Sequence, residues 1–416
     1  MPRIKFHTLG CKVNQYDTQS IRERFFEHGF KEARGPAGKA DVYLINTCTV
    51  TSNADQKSRA AIRSSIKENP EAKIIVTGCL VKNDSRQLAK IKGISFIVNK
   101  SFFAAGITDF HSHTRAFLKI QDGCDNFCAY CKVPLVRGRS RSRPLAEIVP
   151  EARRLAKNGF KEIVLTGICL GAYGRDLKPR ISLVEAVAAL EKIGGILRIR
   201  LSSIEAGDIS DALINKMAES KKLCRHLHIP MQSGDDEILK RMRRRYTRSY
   251  YIKLIRKIKK KIPGLGLTTD CLVGFPGETE KHFRNTLQLI KRIIPLKVHI
   301  FPYSRREGTL AGSKLSGGIP ALIIKERISR LKSWAEDCAK DYKKSFLGAR
   351  VPVLFEGKSK EVKGYWEGYT DNYIRVMLKS RRSLKNKLIF VRLRNISGDC
   401  ALDKIRGRCY KYGGIK

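Results

Sequence analysis

The chain has 416 residues, enough for two or three domains and a sizeable buried core. It carries 83 Lys+Arg against 39 Asp+Glu, a net charge of +44 that exceeds what solubility requires and suits a nucleic-acid partner. No apolar run is long enough to cross a membrane, and residues 1–12 are too short and too mixed for a signal peptide. Twelve cysteines at this length fit metal sites in a reducing compartment better than disulfides, so a soluble, cytoplasmic protein with no membrane partner is expected.

Three short strand-like runs open the chain: Ile4 to Thr8, Val42 to Asn46 and Ile74 to Thr77. Each is followed by a cysteine (Cys11, Cys48 and Cys79) and then by a polar, helix-like stretch. In an open α/β sheet the loops at the carboxyl ends of parallel strands converge on one crevice, which predicts that the three thiols meet. Adjacent helix N-termini would favour their thiolate form. A single cysteine in such a place reads as a small buried hydrophobe; three in step read better as a ligand set.

The next strand-like run, Ala116 to Ile120, leads into Gly123-Cys124-Asp125-Asn126-Phe127-Cys128-Ala129-Tyr130-Cys131, a C-x-x-x-C-x-x-C spacing. Four thiolates close off a four-iron cubane, whereas three leave one iron open. A zinc knuckle is the competing reading, but structural zinc takes four ligands in paired C-x-x-C geometry. An arginine-rich segment follows, Arg137-Gly138-Arg139-Ser140-Arg141-Ser142-Arg143-Pro144.

Beyond it, strand-like runs at Glu162 to Thr166, Arg198 to Ser202, His226 to Gln232, Thr268 to Phe275 and Lys297 to Pro302 alternate with helical stretches. The helical candidates are Leu145 to Lys157, Ile209 to Ser220, Tyr250 to Lys261 and Thr279 to Ile293. That rhythm predicts parallel strands with crossover helices. His226 and His228 alternate on one strand and share a face, and structural histidines are expected there. Gly274-Phe275-Pro276-Gly277-Glu278 reads equally as a pocket-lining loop or as a turn followed by a helix start. Cys169, Cys224, Cys271, Cys338, Cys400 and Cys409 read as core or incidental cysteines. A helix over Ala321 to Lys344 precedes a change of character. Val351 to Glu356, Gly364 to Glu367, Tyr373 to Leu378, Leu388 to Leu393 and Ala401 to Ile405 predict a small antiparallel barrel. Lys379 to Lys387 reads equally as a phosphate contact or a solvated loop.

The Cys124, Cys128, Cys131 spacing resembles the radical S-adenosylmethionine enzymes. With Thr8-Leu9-Gly10-Cys11-Lys12-Val13-Asn14-Gln15, Asn46-Thr47-Cys48-Thr49-Val50-Thr51 and Gly78-Cys79, nearly the whole chain resembles the methylthiotransferase family. The resemblance implies an α/β protein of three parts: an N-terminal open parallel sheet over residues 1–110, a partial (βα)6 barrel over 111–344, and a TRAM-like RNA-binding barrel over 345–416, which Thr370-Asp371-Asn372-Tyr373 also resembles. It implies two [4Fe-4S] clusters, on Cys11, Cys48, Cys79 and on Cys124, Cys128, Cys131. The second trio would be catalytic, binding S-adenosylmethionine with Glu205 and Gln232 as polar contacts. Reductive cleavage would yield a radical that removes hydrogen from C2 of adenine, and a methylthio group held at the first cluster would be transferred there.

Gly-Cys-Lys-Val-Asn-Gln and the arginine-rich segment resemble the branch acting on threonylcarbamoyladenosine beside the tRNA anticodon. The isopentenyladenosine branch usually reads Gly-Cys-Gln-Met-Asn and carries Glu where Ser140 stands. That adenosine lies in a single-stranded loop, which Arg137, Arg139, Arg141 and Arg143 follow the cysteines closely enough to reach. Arg141 is the candidate fork for the threonylcarbamoyl carboxylate. An electron donor and a sulfur source are implied but not identified, and a monomer is expected. Isopentenyladenosine tRNA or a ribosomal protein remain alternative substrates, and a non-catalytic, metal-stabilised RNA-binding protein is the alternative of another class.

Overall fold

A computed structural model describes residues 1–33, 39–99, 106–110, 113–398 and 400–404. Ile405 and Cys409 lie outside the described residues. The N-terminal strands are β1 (Arg3–Thr8), β2 (Lys31–Glu32), β3 (Val42–Thr47), β4 (Lys73–Gly78) and β5 (Phe96–Ile97), with helices α1 (Lys12–Glu27), α2 (Ser52–Glu68) and α3 (Cys79–Ala89). They form a parallel sheet in the order β2-β1-β3-β4-β5. Strand β3 is buried throughout because helices cover both of its faces. Tyr43 and Ile45 pack with Ile62, Leu80 and Leu88, whereas Val42 and Leu44 pack with Ile4 and Ile21.

The middle of the chain follows as β6 (Arg115–Lys119), β7 (Gln121–Asp122), α4 (Val133–Arg137), β8 (Arg141–Ser142), α5 (Leu145–Lys157), β9 (Glu162–Thr166), α6 (Leu183–Glu191), β10 (Arg198–Leu201), α7 (Asp211–Glu219), β11 (His226–His228), α8 (Asp236–Arg241), α9 (Arg248–Lys261), β12 (Gly266–Val273), α10 (Glu280–Ile293) and β13 (Lys297–Pro302). Two parallel sheets, β6-β9-β10 and β11-β12-β13, are joined by isolated bridges, among them Ser203 with His228. Together they make the open six-stranded barrel that the resemblance implies. Alternation sorts its side chains: Ile163, Leu165, Ile199, Leu201, Leu227, Leu267 and Val273 join the main core under the helices. Glu162, Arg200, His226, His228, Thr268 and Asp270 occupy the alternate, inward positions. The strand expected to run to Gln232 ends at His228. Pro230 has no N–H for a ladder, and Gln232 turns left-handed at φ +65°.

Helices α11 (Leu310–Lys314) and α12 (Ala321–Lys344) lead to β14 (Arg350–Lys358), β15 (Tyr365–Thr370), β16 (Arg375–Lys379), β17 (Leu388–Arg392), β18 (Asn395–Ser397) and β19 (Cys400–Lys404). Their sheet, in the order β17-β14-β15-β16-β19-β18, is antiparallel as expected except that β16 and β19 run parallel. It plugs the barrel at the amino ends of the strands. Arg198 donates to the Tyr369 and Pro352 carbonyls (3.0 and 2.7 Å), Arg200 donates to the Asp371 carbonyl (2.9 Å), and Arg115 pairs with Glu356 (2.5 Å). Asn372 donates to the Gly264 carbonyl at 3.1 Å, so the Thr-Asp-Asn-Tyr motif serves here as a docking element. Among the described residues no helix is long and apolar enough to cross a membrane.

Candidate functional site

The loop after β6 is shaped by a residue that only glycine suits. Gly123 sits at φ +75°, and a Cβ there would overlap the Arg139 carbonyl. The loop therefore folds back on segment 138–139, where the Cys124 amide donates to the Gly138 carbonyl at 3.1 Å. The Cys131 amide donates to the Cys128 carbonyl and the Ala129 amide to the Met242 carbonyl, both at 3.0 Å, which anchors the loop to the segment after α8. Two donors reach the sulfurs: the Asn126 amide to Cys124 Sγ at 3.4 Å and Arg244 Nη1 to Cys128 Sγ at 3.3 Å.

Burial pushes the Cys131 thiol up to about 12 and raises that of Cys128 against the pull of Arg244. A hydrogen bond with Cys169 lowers that of Cys124, outweighing its burial. A bound metal ion would offset that burial by favouring the thiolate forms. Elsewhere in the barrel, His228, Asp270 and His299 each bring one donor atom within 4.8 Å of the others.

The other trio forms where β1, β3 and β4 end side by side. Cys11 caps α1 in extended conformation, Cys48 follows β3, and Cys79 opens α3 after Gly78, which is held at φ +100°. The loops touch: a Cβ on Gly10 would lie 3.0 Å from Cys48 Sγ, and one on Gly78 would be too close to Thr47. Burial pushes the Cys48 thiol up to about 11, and both Cys79 and Cys11 lie near enough to add to the shift. Asn14 locks the crevice by donating to the Leu9 and Thr47 carbonyls (2.7 and 3.0 Å).

Two arginines join this crevice to the barrel mouth. Arg306, just beyond β13, donates to the Thr49 carbonyl and hydroxyl (3.1 and 2.8 Å) and pairs with Asp55. Arg137, on the far side of the cluster loop, is buried. It donates to both Asp122 oxygens (2.9 and 3.1 Å), bonds Asn14, and lies 3.8 Å from Asp17. Both thiol trios therefore face the carboxyl end of the barrel.

The structure narrows the expectation for the four arginines. Arg137 is consumed in that buried network. Arg143 is held by Glu147, Glu151 and the Tyr16 hydroxyl (3.1, 2.7 and 3.0 Å), so neither guanidinium is free to meet RNA. Arg139 is exposed, 3.3 Å from Asp125 and stacked over the exposed Phe127 ring at 4.9 Å. Arg141 is exposed on the β7–β8 ladder, without an ion pair among the described residues. The glutamate proposed for S-adenosylmethionine, Glu205, follows β10. It is paired with Arg244 (3.2 Å) next to Cys128, and burial raises its carboxyl pKa. Gln232 is half-buried in the loop after β11, its backbone fixed to Asp270 and Leu272 (2.8 and 2.9 Å).

Gly274 to Glu278 forms a turn just ahead of α10, which begins at Glu280 behind its Thr279 cap. Glu278 accepts from the Gly274 amide (2.8 Å) and pairs with buried Arg327 (3.1 Å). Cys169 is buried, but it is not incidental: besides Cys124 it contacts Asn126 Nδ2 and Asp208 Oδ2, each at 3.5 Å. The sequence reading passed over Arg244, Arg306, Asp270 and His299. Arg244 stands in the basic run 241–245, where charge alone marks no single residue as the one that reaches a sulfur.

Residues 118–290 match the model of the radical SAM superfamily, and residues 3–99 match that of the uncharacterized protein family UPF0004. Over 94% of both chains, the sequence is 38% identical to the threonylcarbamoyladenosine tRNA methylthiotransferase MtaB of Bacillus subtilis. It is 35% identical to that of Thermotoga maritima, over 98% of this chain and 99% of the relative. It is also 34% identical to the tRNA-2-methylthio-N(6)-dimethylallyladenosine synthase of Clostridium tetani, over 93% and 92%. Among solved structures, the radical S-adenosylmethionine methyltransferase TsrM of Kitasatospora setae superposes with a TM-score of 0.55 at 13% identity, covering 74% of this chain and 76% of that one; this likeness is one of fold.

Proposed function

Because the chain belongs to the tRNA methylthiotransferase family of radical S-adenosylmethionine enzymes, we propose that its substrate is N6-threonylcarbamoyladenosine next to the anticodon, methylthiolated at C2. The observation that carries this reading is near-full-length similarity to relatives bearing that name at 35–38% identity; the 34% identity to a dimethylallyladenosine synthase keeps the sister branch as the reading to test against.

Cys124, Cys128 and Cys131 would hold one [4Fe-4S] cluster and Cys11, Cys48 and Cys79 a second. When bound, the first cluster and S-adenosylmethionine supply the electron and the carbon radical that an unactivated C–H bond requires. The chain's own residues position and shield these groups. Arg244 supports the Cys128 sulfur and fixes Glu205 beside it, while Asn126 supports Cys124, so these residues would orient two of the thiolates that hold the cluster. Arg137 and Arg306 clamp the second crevice over the barrel, which keeps the two thiol trios at one mouth and water out of the seam. Exposed Arg139 on Phe127 offers a stacking face for a splayed base, and Arg141 offers a free fork for a phosphate or the substrate carboxylate.

The test is mass spectrometry of tRNA nucleosides from cells lacking the gene. Loss of methylthio-threonylcarbamoyladenosine with accumulation of its unthiolated precursor is expected. Loss of the methylthio-isopentenyl nucleoside instead would transfer the enzyme to the sister branch.

A further inference from the structure

Midway along the barrel strands, three side chains without a part in the foregoing scheme come together. His228 of β11, Asp270 of β12 and His299 of β13 each bring one donor atom within 4.8 Å of the others, and all three are half-buried. The register places Asp270 directly opposite His299, and His228 beside Thr268, so three neighbouring strands aim their inward positions at one point. His228 Nε2 lies 3.2 Å from Asp270 Oδ1. Ligands bonded at about 2.0–2.2 Å to one small divalent cation stand roughly 3 Å apart, so this pair is already spaced to share an ion.

A second observation fixes which nitrogen is available. Thr268 Oγ1 lies 2.9 Å from His228 Nδ1 and 3.0 Å from His226 Nε2, and a hydroxyl has only one proton to give. With that proton directed to His226, His228 donates its Nδ1–H to Thr268 and turns an Nε2 lone pair towards the Asp270 carboxylate. Two acceptors at that distance are reconciled by a cation between them. With the hydroxyl reversed, Nε2 carries the proton and donates to Asp270. Reversing one hydroxyl thus lets the His228–Asp270 pair exchange a proton for a cation, and Thr268 serves as the outer group that sets the tautomer of a ligating histidine. The His299 ring, 5.6 Å from that of His228, is kept neutral by burial, with His228, Lys297 and Lys12 acting in the same direction against Asp270; neutral imidazole is the ligating form.

We propose that His228, Asp270 and His299 form a mononuclear site for a divalent transition-metal cation of the Mn2+, Fe2+ or Zn2+ class. Two imidazoles and one carboxylate bind the ion, and its remaining positions are left to water or to a substrate oxygen. Its nitrogen and oxygen donors set it apart from the thiolate trios, which allows it to be tested separately.

Mn2+ discriminates against thiolates, and its six-line EPR signal is lost on binding, so it is the probe. Cluster-loaded enzyme with oxidised, EPR-silent clusters and no RNA is titrated with Mn2+. One ion per chain should bind, with deep 14N modulation in pulsed EPR from the coordinated imidazoles. Asp270→Asn and His299→Gln should each weaken binding at least about tenfold while the visible cluster spectrum is unchanged, and Thr268→Val should weaken it by about 10- to 100-fold through the lost tautomer control. Absence of Mn2+ binding up to millimolar concentration overturns the proposal. So does bound Mn2+ without 14N modulation, a result that does not depend on how the variants fold, or an identical titration in Asp270→Asn and His299→Gln.

Discussion

Replacing Arg137 with Met keeps most of its volume and removes its charge at a point where three acceptors converge. The guanidinium is buried and donates to both oxygens of Asp122, bonds Asn14, and stands 3.8 Å from Asp17. Breaking one side of a buried ion pair costs about 3–5 kcal/mol, because the remaining charge is left desolvated. Two features place this site at the lower end. Asp17 retains its pair with Lys119, and Asp122 retains the Gly123 amide at 2.8 Å. The expected loss is therefore about 3 kcal/mol. With a urea slope of about 3 kcal/mol/M, the midpoint falls by about 1 M.

The assay is anaerobic urea unfolding of cluster-loaded enzyme, followed by cluster absorbance and circular dichroism. Asp122→Asn in the Arg137→Met background should restore roughly half of the loss, since the stranded charge is gone. Arg137→Met should also leave the salt dependence of tRNA binding unchanged. A midpoint within about 0.2 M of wild type, or strictly additive effects of Arg137 and Asp122, would refute the assignment of Arg137 as the buried clamp between crevice and barrel.

Gly123→Ala should prevent the cluster loop from closing, because its Cβ would overlap the Arg139 carbonyl at φ +75°; visible absorbance of the reconstituted protein would report the lost cluster, and a wild-type spectrum would contradict the geometry. Alanine at Cys124, Cys128 and Cys131 together should remove about half of the bound iron and abolish S-adenosylmethionine cleavage. Alanine at Cys11, Cys48 and Cys79 should remove the other half, stopping product while leaving cleavage; iron analysis with a cleavage assay separates the two, and full iron content in either variant would dismiss that trio as a ligand set. Arg139→Ala with Arg141→Ala should lower the slope of log affinity against log salt for tRNA by about 1.4, at roughly 0.7 per single-strand phosphate contact, and an unchanged slope would show that neither meets the backbone.

The chemistry-bearing loops are legible in the chain because each is local. The Cys124 to Cys131 spacing, the glycines that let it turn, and the three strand-loop-helix units ending in Cys11, Cys48 and Cys79 lie within a few residues. Parallel order then follows from short strands alternating with helices, since crossover connections leave few other arrangements. Helix ends are readable for the same reason: α5 runs Leu145–Lys157 and α12 runs Ala321–Lys344, the ranges expected from the sequence, each opening directly after a proline. The strand through His226 is misjudged at its far end because its apolar pattern continues past Pro230, where the backbone cannot.

What folding alone decides is which charges meet. Arg137 and Arg143 sit in the same basic segment as Arg139 and Arg141, with nothing in their order to tell them apart. Arg137 is buried and Arg143 half-buried because α1 and α5 bring Asp17, Tyr16 and Glu151 against them, from up to 127 positions away. Arg244 reaches Cys128 across 116 positions, and Arg306 reaches Thr49 across 257. Asp270 and His299 become neighbours only through the register of two parallel strands separated by a helix. A short-range motif carries its own geometry in its spacing; a long-range pair exists only once chain crossovers have been made and burial has raised the cost of leaving a charge alone.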